Sequence, residues 1–251
     1  MCRLLGYATR TPTTLADLLG EVELQEFTEL SRKHADGWGL AWATNDGVEV
    51  TKAPDAARVS PLFASISHEH LSDLGLLHLR WATLGLDVVA ENTHPFTDGT
   101  IAFAHNGSVK PPSSLDALVP DDFASLRQGT TDSERYFFAT LARARRMDSA
   151  EALAETVNLI ASSLEYSSLN AMIASATELI AVSRFDPVAE AREAEPNYYQ
   201  LRYRVTPDAV VVSSSGWGAG WNTLENGEML VVQRGTLEVS VRRLSEEQVA
   251  R

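Results

Sequence analysis

The sequence predicts a layered α+β domain. Strand-like apolar runs cluster at both ends of the chain, and two amphipathic helices follow one another in the middle. No stretch shows the regular alternation that βαβ units require. At 251 residues the chain is long enough for a large core or two packed sheets. It has no internal repeat, low-complexity tract or linker-like stretch, so one domain over 1–251 is expected.

Each element has a local reason. Cys2 to Ala8 reads as a buried strand that Thr11-Pro12 ends. Thr13 or Thr14 caps a helix with Leu15, Leu18, Leu19 and Val22 at helical spacing. Trp38–Thr44 and Val48–Lys52 flank Asn45-Asp46-Gly47, which is hairpin chemistry. Gly75–Thr83 and Thr100–His105 are further strands, and the polar segment Lys110–Arg127 reads as loop with short helices. Thr131-Asp132-Ser133-Glu134 has capping-box spacing ahead of Phe137, Phe138 and Leu141. Leu153, Val157, Ile160, Ala161 and Leu164 mark the next helix. Strands then return at Ala171–Ala174, Leu179–Ser183, Tyr198–Val205, Ala209–Ser214, Met229–Gln233 and Leu237–Val241.

Composition excludes several function classes. Hydrophobic residues at 44% and charged residues at 22% are ordinary for a globular protein. The net charge of −13 opposes a phosphate backbone and an anionic membrane surface, so neither nucleic acid nor membrane is an expected partner. A single cysteine allows no internal disulfide and no CxxC metal site. His34, His78, His94 and His105 form no i, i+4 ligand pair and read as satisfied core or strand histidines. No cofactor or metal is expected. No apolar run approaches the ~20 residues of a membrane span, and the N-terminus lacks secretory-signal patterning. A reduced cytoplasm is the expected compartment.

The one cysteine is residue 2. Loss of Met1 would place it at the N-terminus, where its own α-amine, with a pKa of roughly 7.7–8.0, can take the thiol proton. Taken alone, Cys2 reads as a small buried hydrophobe that fell at position 2 by chance. Four other segments bear on the choice. His34-Ala35-Asp36-Gly37-Trp38-Gly39 is a glycine-flanked strand entry, either a tight turn or a close approach to substrate. In His78-Leu79-Arg80-Trp81-Ala82-Thr83-Leu84-Gly85, Arg80 lies in an apolar strand. It pairs there with a substrate carboxylate, forms a structural salt bridge, or snorkels to the surface. Ile101 to His105 runs into Asn106-Gly107, either a simple turn or a side-chain amide and a free N–H placed together as an oxyanion hole. Asp132 opens a helix, where the dipole favours a carboxylate and where it can also accept a substrate ammonium.

Together Met1-Cys2-Arg3-Leu4-Leu5-Gly6-Tyr7, Arg80-Trp81-Ala82-Thr83, His94-Pro95, His105-Asn106-Gly107 and Asp132-Ser133-Glu134 resemble the class II glutamine amidotransferases. These are N-terminal-nucleophile hydrolases; the chain is most similar to small stand-alone members such as the γ-glutamyl hydrolase of ergothioneine biosynthesis. The resemblance implies a four-layer αββα sandwich with two antiparallel sheets. It makes Cys2 the nucleophile and assigns Asn106 and Gly107 to the oxyanion hole. Arg80 and Asp132 would hold the substrate α-carboxylate and α-ammonium, and Trp81 and Thr83 would line the glutamine pocket. Leu84 stands where the synthases carry histidine, and His34-Ala35 stand near Asp36 where they have an arginine-containing segment. Three functions follow: a glutaminase feeding ammonia to a separate acceptor enzyme, a hydrolase of a small γ-glutamyl metabolite, or a non-catalytic binding module. Trp217 and Trp221 read as anchors of a glycine-rich loop.

Overall fold

The computed structural model describes residues 2–82, 85–216 and 218–245. The first strand, β1 (Arg3–Thr13), is followed by α1 (Leu15–Leu19), α2 (Glu21–Glu29), the hairpin β2 (Trp38–Ala43) and β3 (Val48–Ala53), α3 (Pro61–Glu69) and β4 (Ser72–Leu79). Then come β5 (Phe96–Thr97), β6 (Ile101–Lys110), α4 (Asp121–Ala124), α5 (Asp132–Ala144) and α6 (Ser149–Ser163). The remainder is β7 (Glu165–Ser175), β8 (Glu178–Ser183), α7 (Pro187–Glu190), β9 (Leu201–Val205), β10 (Ala209–Ser213), β11 (Asn222–Leu224), β12 (Glu228–Gln233) and β13 (Val239–Arg243).

Among the described residues these strands form two antiparallel sheets, one ordered β11-β9-β10-β1-β4-β2-β3 and the other β13-β12-β8-β7-β6-β5. Three apolar layers explain the stacking. Leu5, Tyr7, Trp38, Leu40 and Leu77 on one face of the first sheet pack against Leu15, Leu24, Phe27 and Phe63 of α1, α2 and α3. The other faces of the two sheets meet through Leu4, Ala8, Ala41, Leu76, Ala102, Ala104, Met172 and Leu179. Phe103, Ile173 and Ile180 on the far side of the second sheet pack against Phe137, Val157 and Ile160 of α5 and α6. The result is the αββα sandwich that the resemblance implied. Because β1 is covered on both faces, Arg3 to Thr9 form one uninterrupted buried run rather than an apolar/polar alternation.

Local departures from expectation have identifiable causes. Thr11-Pro12 does not end β1; the strand runs to Thr13, with its register shifting between Ala8 and Thr13 so that the proline falls in an exposed stretch. Thr14 caps α1 by accepting from the Asp17 N–H at 3.0 Å. Gly20, at φ 81°, then breaks the helix. A new helix starts in a different phase, with Leu24 and Phe27 inward, so Val22 is exposed rather than part of the apolar face. Helix α3 was unforeseen, although its Ser60 cap followed by Pro61 at the first helical position is a start signal. The capping box is only half formed. The Thr131 hydroxyl accepts from Glu134 N–H at 3.1 Å, but the Glu134 carboxylate turns to the Gln128 and Gly129 N–H groups, each 2.8 Å away.

Candidate active site

Position 2 stands at the head of β1, in the middle of the first sheet. Strand alternation puts its side chain on the Leu4 and Ala8 face, toward the second sheet. The Cys2 Sγ accepts the Trp81 N–H at 3.4 Å and donates to the Trp81 carbonyl at 3.6 Å. Burial pushes this thiol above its ordinary pKa, the Trp81 N–H and the Arg80 charge opposing that shift in part. A thiol so placed is protonated at neutral pH and needs a base to react.

The strand expected through Thr83 ends at Leu79. Arg80 therefore begins a turn, and Thr83 and Leu84 lie outside the described residues. The Asp36-Gly37 segment holds this turn: Asp36 N–H donates to Arg80 O at 3.1 Å and Arg80 N–H donates to Gly37 O at 2.8 Å. The Asp36 carboxylate accepts the Ala82 N–H at 2.8 Å. That segment is the support for residues 80–82, a role its glycine-flanked sequence did not specify.

The Arg80 side chain is almost fully buried, 3% exposed. Its guanidinium donates to the Asp36 and Asp87 carbonyls at 3.2 and 3.1 Å, and among the described residues no carboxylate pairs with it. A buried cation whose hydrogen bonds go only to neutral carbonyls, with the Asp36 carboxylate acting from beyond contact, is short of a paired anion. Of the readings left open for Arg80, the structural salt bridge and the surface snorkel both fail here.

Asn106-Gly107 is not a turn. β6 continues to Lys110, pairing Asn106 with Asn170 and Gly107 with Leu169, and the register shifts only between Gly107 and Val109. Asn106 shares the face of Ala102 and Ala104, between the sheets. It is fully buried, and neither its amide nitrogen nor its oxygen has a hydrogen-bond partner among the described residues. Asn170 opposite has both amide atoms engaged, by Tyr199 O and Arg184 N–H. Gly107 has a separate requirement. A Cβ there would lie 1.8 Å from Ser168 O and 2.7 Å from His105 Nε2, so only glycine fits.

Asp132 is the first residue of α5 and its carboxylate accepts the Val109 N–H at 2.7 Å. Beside it, Ser133 Oγ and His105 Nδ1 are 2.9 Å apart, and His105 Nε2 lies 2.9 Å from Ser168 O. Nε2 must carry the proton, so Nδ1 accepts from Ser133. This pair ties the start of α5 to β6. Asn92 does the same for the flanking loops, accepting from Thr130 N–H at 2.9 Å and donating to Asp87 O at 3.1 Å. Neither tie was foreseen, because both are long-range in sequence.

These elements close a cavity of about 140 Å³ lined by Cys2, Arg80, Trp81, Gly107, Thr131 and Asp132 among others. A larger cleft of about 940 Å³ lies between Phe96 and α5 and contains neither Cys2 nor Arg80. The smaller one is the chemically equipped one. Trp217 falls outside the described residues, and Trp221 packs partly on the core beneath α1 and α2 with Arg204 over its ring at 5.0 Å.

Two of the histidines are not satisfied as expected. His78 and His94 stack at 4.2 Å, and among the described residues no hydrogen bond of ordinary length reaches a ring nitrogen of either, the His105 backbone acting on His78 only weakly. Burial holds both well below 6.5, and it pushes His34, with Arg3 and Lys33 contributing, down to about 3. Folded, these rings are neutral; unfolded, they protonate near pH ~6.5. The unfolded state then binds more protons, so stability present above pH ~6.5 is lost as the pH falls toward the folded values. The slope should approach ~1.4 kcal/mol per pH unit for each ring. Urea midpoints that stay flat between pH 7.5 and 5.5 would contradict this.

The fold is that of the N-terminal-nucleophile amidotransferases. Residues 1–251 match the sequence model of the class-II glutamine amidotransferases, and the chain belongs to that family. It is 35% identical over 145 residues to a putative glutamine amidotransferase of Haemophilus influenzae, covering 55% of this chain and 46% of that protein. It thus spans about half the length of that relative. It is 26% identical over 231 residues to the γ-glutamyl-hercynylcysteine sulfoxide hydrolase of Mycobacterium tuberculosis, covering 87% of this chain and 88% of the other. A solved glutamine aminotransferase class-II domain protein from Silicibacter pomeroyi superposes with a TM-score of 0.69 at 22% identity, over 97% of this chain and all of that one.

Proposed function

We propose that the protein hydrolyses the γ-amide of glutamine, with Cys2 as nucleophile once Met1 is removed. The observation that supports this best is the convergence of Cys2, Arg80, Gly107 and Asp132 on one cavity sized for an amino acid. The α-amine of Cys2 takes the thiol proton and the thiolate attacks the amide carbon. The Asn106 amide, unpartnered in its buried position, turns to the developing oxyanion together with the Gly107 N–H. The C–N bond breaks as the ammonium returns its proton to the leaving nitrogen. Water then cleaves the thioester, releasing glutamate.

Arg80 supplies the anion site for the α-carboxylate, and Asp132 receives the α-ammonium. Trp81, which lines the same cavity, completes the wall. Holding both charged ends orients the side-chain amide against the thiol. A second reading, hydrolysis of an N-substituted γ-glutamyl amide of a small metabolite, is favoured by the similarity to the mycobacterial sulfoxide hydrolase over most of both chains. In the first reading the ammonia goes to a separate acceptor enzyme. The test is glutamate release from glutamine and from γ-glutamyl amides by protein whose intact mass shows Met1 loss. Arg80→Lys should raise KM about tenfold or more through loss of the bidentate fork; an unchanged KM removes Arg80 from the carboxylate site.

A further inference from the structure

The cavity described above accommodates the glutamyl half of a substrate and little else. At about 140 Å³ it is well below the ~300–1,000 Å³ of clefts that enclose larger ligands. Whatever is attached to the γ-amide nitrogen must therefore lie outside it. Beside Cys2 the chain gathers a second set of groups, which shares Trp81 with the cavity and otherwise lies outside its lining.

Arg3 is 7% exposed. Its guanidinium donates to Cys2 O at 3.4 Å, and its Nε is buried with no partner among the described residues. Its charge is met at 3.6 Å by one carboxylate, Glu195. The same carboxylate holds Lys33 Nζ at 3.2 Å. Both cations lie over aromatic rings: Arg3 is 5.1 Å from the Tyr198 ring, and Lys33 is 5.1 Å from the Trp81 ring and 5.9 Å from that of Tyr198. Trp81 is the residue whose N–H meets the Cys2 sulfur, so this platform starts at the reacting atom.

The charge is unusual for this molecule. In a chain of net −13, Arg80 acts on the Cys2 thiol, and Arg3 and Lys33 gather at the adjoining Tyr198 ring. Glu195 is the anion shared by Arg3 and Lys33, and its side chain is 54% exposed. It sits on the segment after α7, anchored nearby where Tyr199 N–H donates to Glu190 at 3.1 Å and Tyr199 OH to Glu193 at 2.9 Å. The Lys33–Glu195 pair is half-exposed on both sides and contributes little to stability, so another carboxylate can take the place of Glu195 on Lys33 at small cost. A buried guanidinium with an unanswered N–H favours that exchange.

We propose that Arg3, Lys33, Trp81 and Tyr198 form a leaving-group subsite gated by Glu195, which accepts γ-glutamyl amides whose amine part carries a carboxylate: γ-glutamyl amino acids and short γ-glutamyl peptides. This rests on the hydrolase reading of the same site. The leaving group's carboxylate displaces that of Glu195 from Lys33 and Arg3, its body lies along the Trp81 and Tyr198 rings, and hydrolysis releases glutamate and the free amino acid or peptide.

Two probes that differ only in that carboxylate test it: γ-glutamylalanine and γ-glutamylalaninamide, with glutamine alongside, using Met1-free protein. The kcat/KM ratio of acid to amide should be about tenfold or more. Lys33→Gln, which keeps part of the stem over Trp81 and loses one of the two cations, should lower the ratio about threefold or more, whatever it does to the absolute rates; an unchanged ratio removes Lys33 from the subsite. Glu195→Gln should raise the ratio by removing the competing carboxylate. A wild-type ratio near one, with glutamine still hydrolysed, overturns the subsite and leaves the hydrolase reading standing. No glutamate from any of the three compounds overturns the hydrolase reading, and the subsite with it.

Discussion

Replacing Cys2 with alanine should lower glutamate release from glutamine by roughly 10⁴-fold or more, the scale on which deleting the nucleophile acts in acyl-transfer enzymes. The thermal midpoint should barely move. The thiol's hydrogen bonds are the two weak ones to the Trp81 backbone, and the main chain of β1 is held by its pairing with β4 and β10. Burial raises the thiol's pKa, so at pH 7 at most a few per cent is thiolate without help. The proposed helper is the α-amine of the same residue. Protein retaining Met1, in which that nitrogen is an amide, should be as inactive as the alanine variant. Substantial turnover in either species would sink the assignment.

Replacing Asn106 with leucine should stabilise the fold while damaging the chemistry. The buried amide has neither donor nor acceptor engaged among the described residues, and an unsatisfied buried polar group costs about 1–3 kcal/mol. Leucine has nearly the same shape and faces Ala102, Ala104 and their neighbours between the sheets. Unfolding free energy should therefore rise by about 1–2 kcal/mol. Losing one oxyanion donor should lower kcat by roughly 10²–10³-fold. A variant that is both less stable and fully active would show that the amide has a structural partner rather than a catalytic duty. The opposite signs are the informative part, since a purely structural asparagine gives no gain on removal.

The layered α+β class, the hairpin at Asn45-Asp46-Gly47 and the helix start at Thr131 were legible because each depends on residues close together in the chain. Gly20 was a local signal overlooked, and it cost the phase of α2. The Asn-Gly dipeptide misled for a different reason. Its turn preference is local, and the pairing of β6 with β7, some sixty residues away, overrides it. The candidate positions Cys2, Arg80, Gly107 and Asp132 come together in space, while Thr83 lies outside the described residues. What sequence could not convey is the support around them. The Asp36 clamp on residues 80–82, the Ser133–His105 tie, and the Arg3–Glu195–Lys33 group are contacts across 28 to 192 positions. Nothing in residue spacing encodes such contacts.

Cys2 projects from one sheet and Asn106 from the other, and the layer between them sets small side chains, Ala8, Ala41, Ala102, Ala104, Ala174 and Ala181, among larger ones such as Leu4, Leu76, Met172 and Leu179. Gly6 belongs to the same layer, and a Cβ there would meet Leu179 at 2.9 Å. The gap across which the proposed nucleophile faces its oxyanion donor is thus a thickness, set by how the small and large side chains of that layer interleave. A single added methyl group far from the cavity acts as a shim under one wall, enough to misalign the two halves while every strand keeps its hydrogen bonds. Drift in this layer would change catalytic rate before it changed the fold.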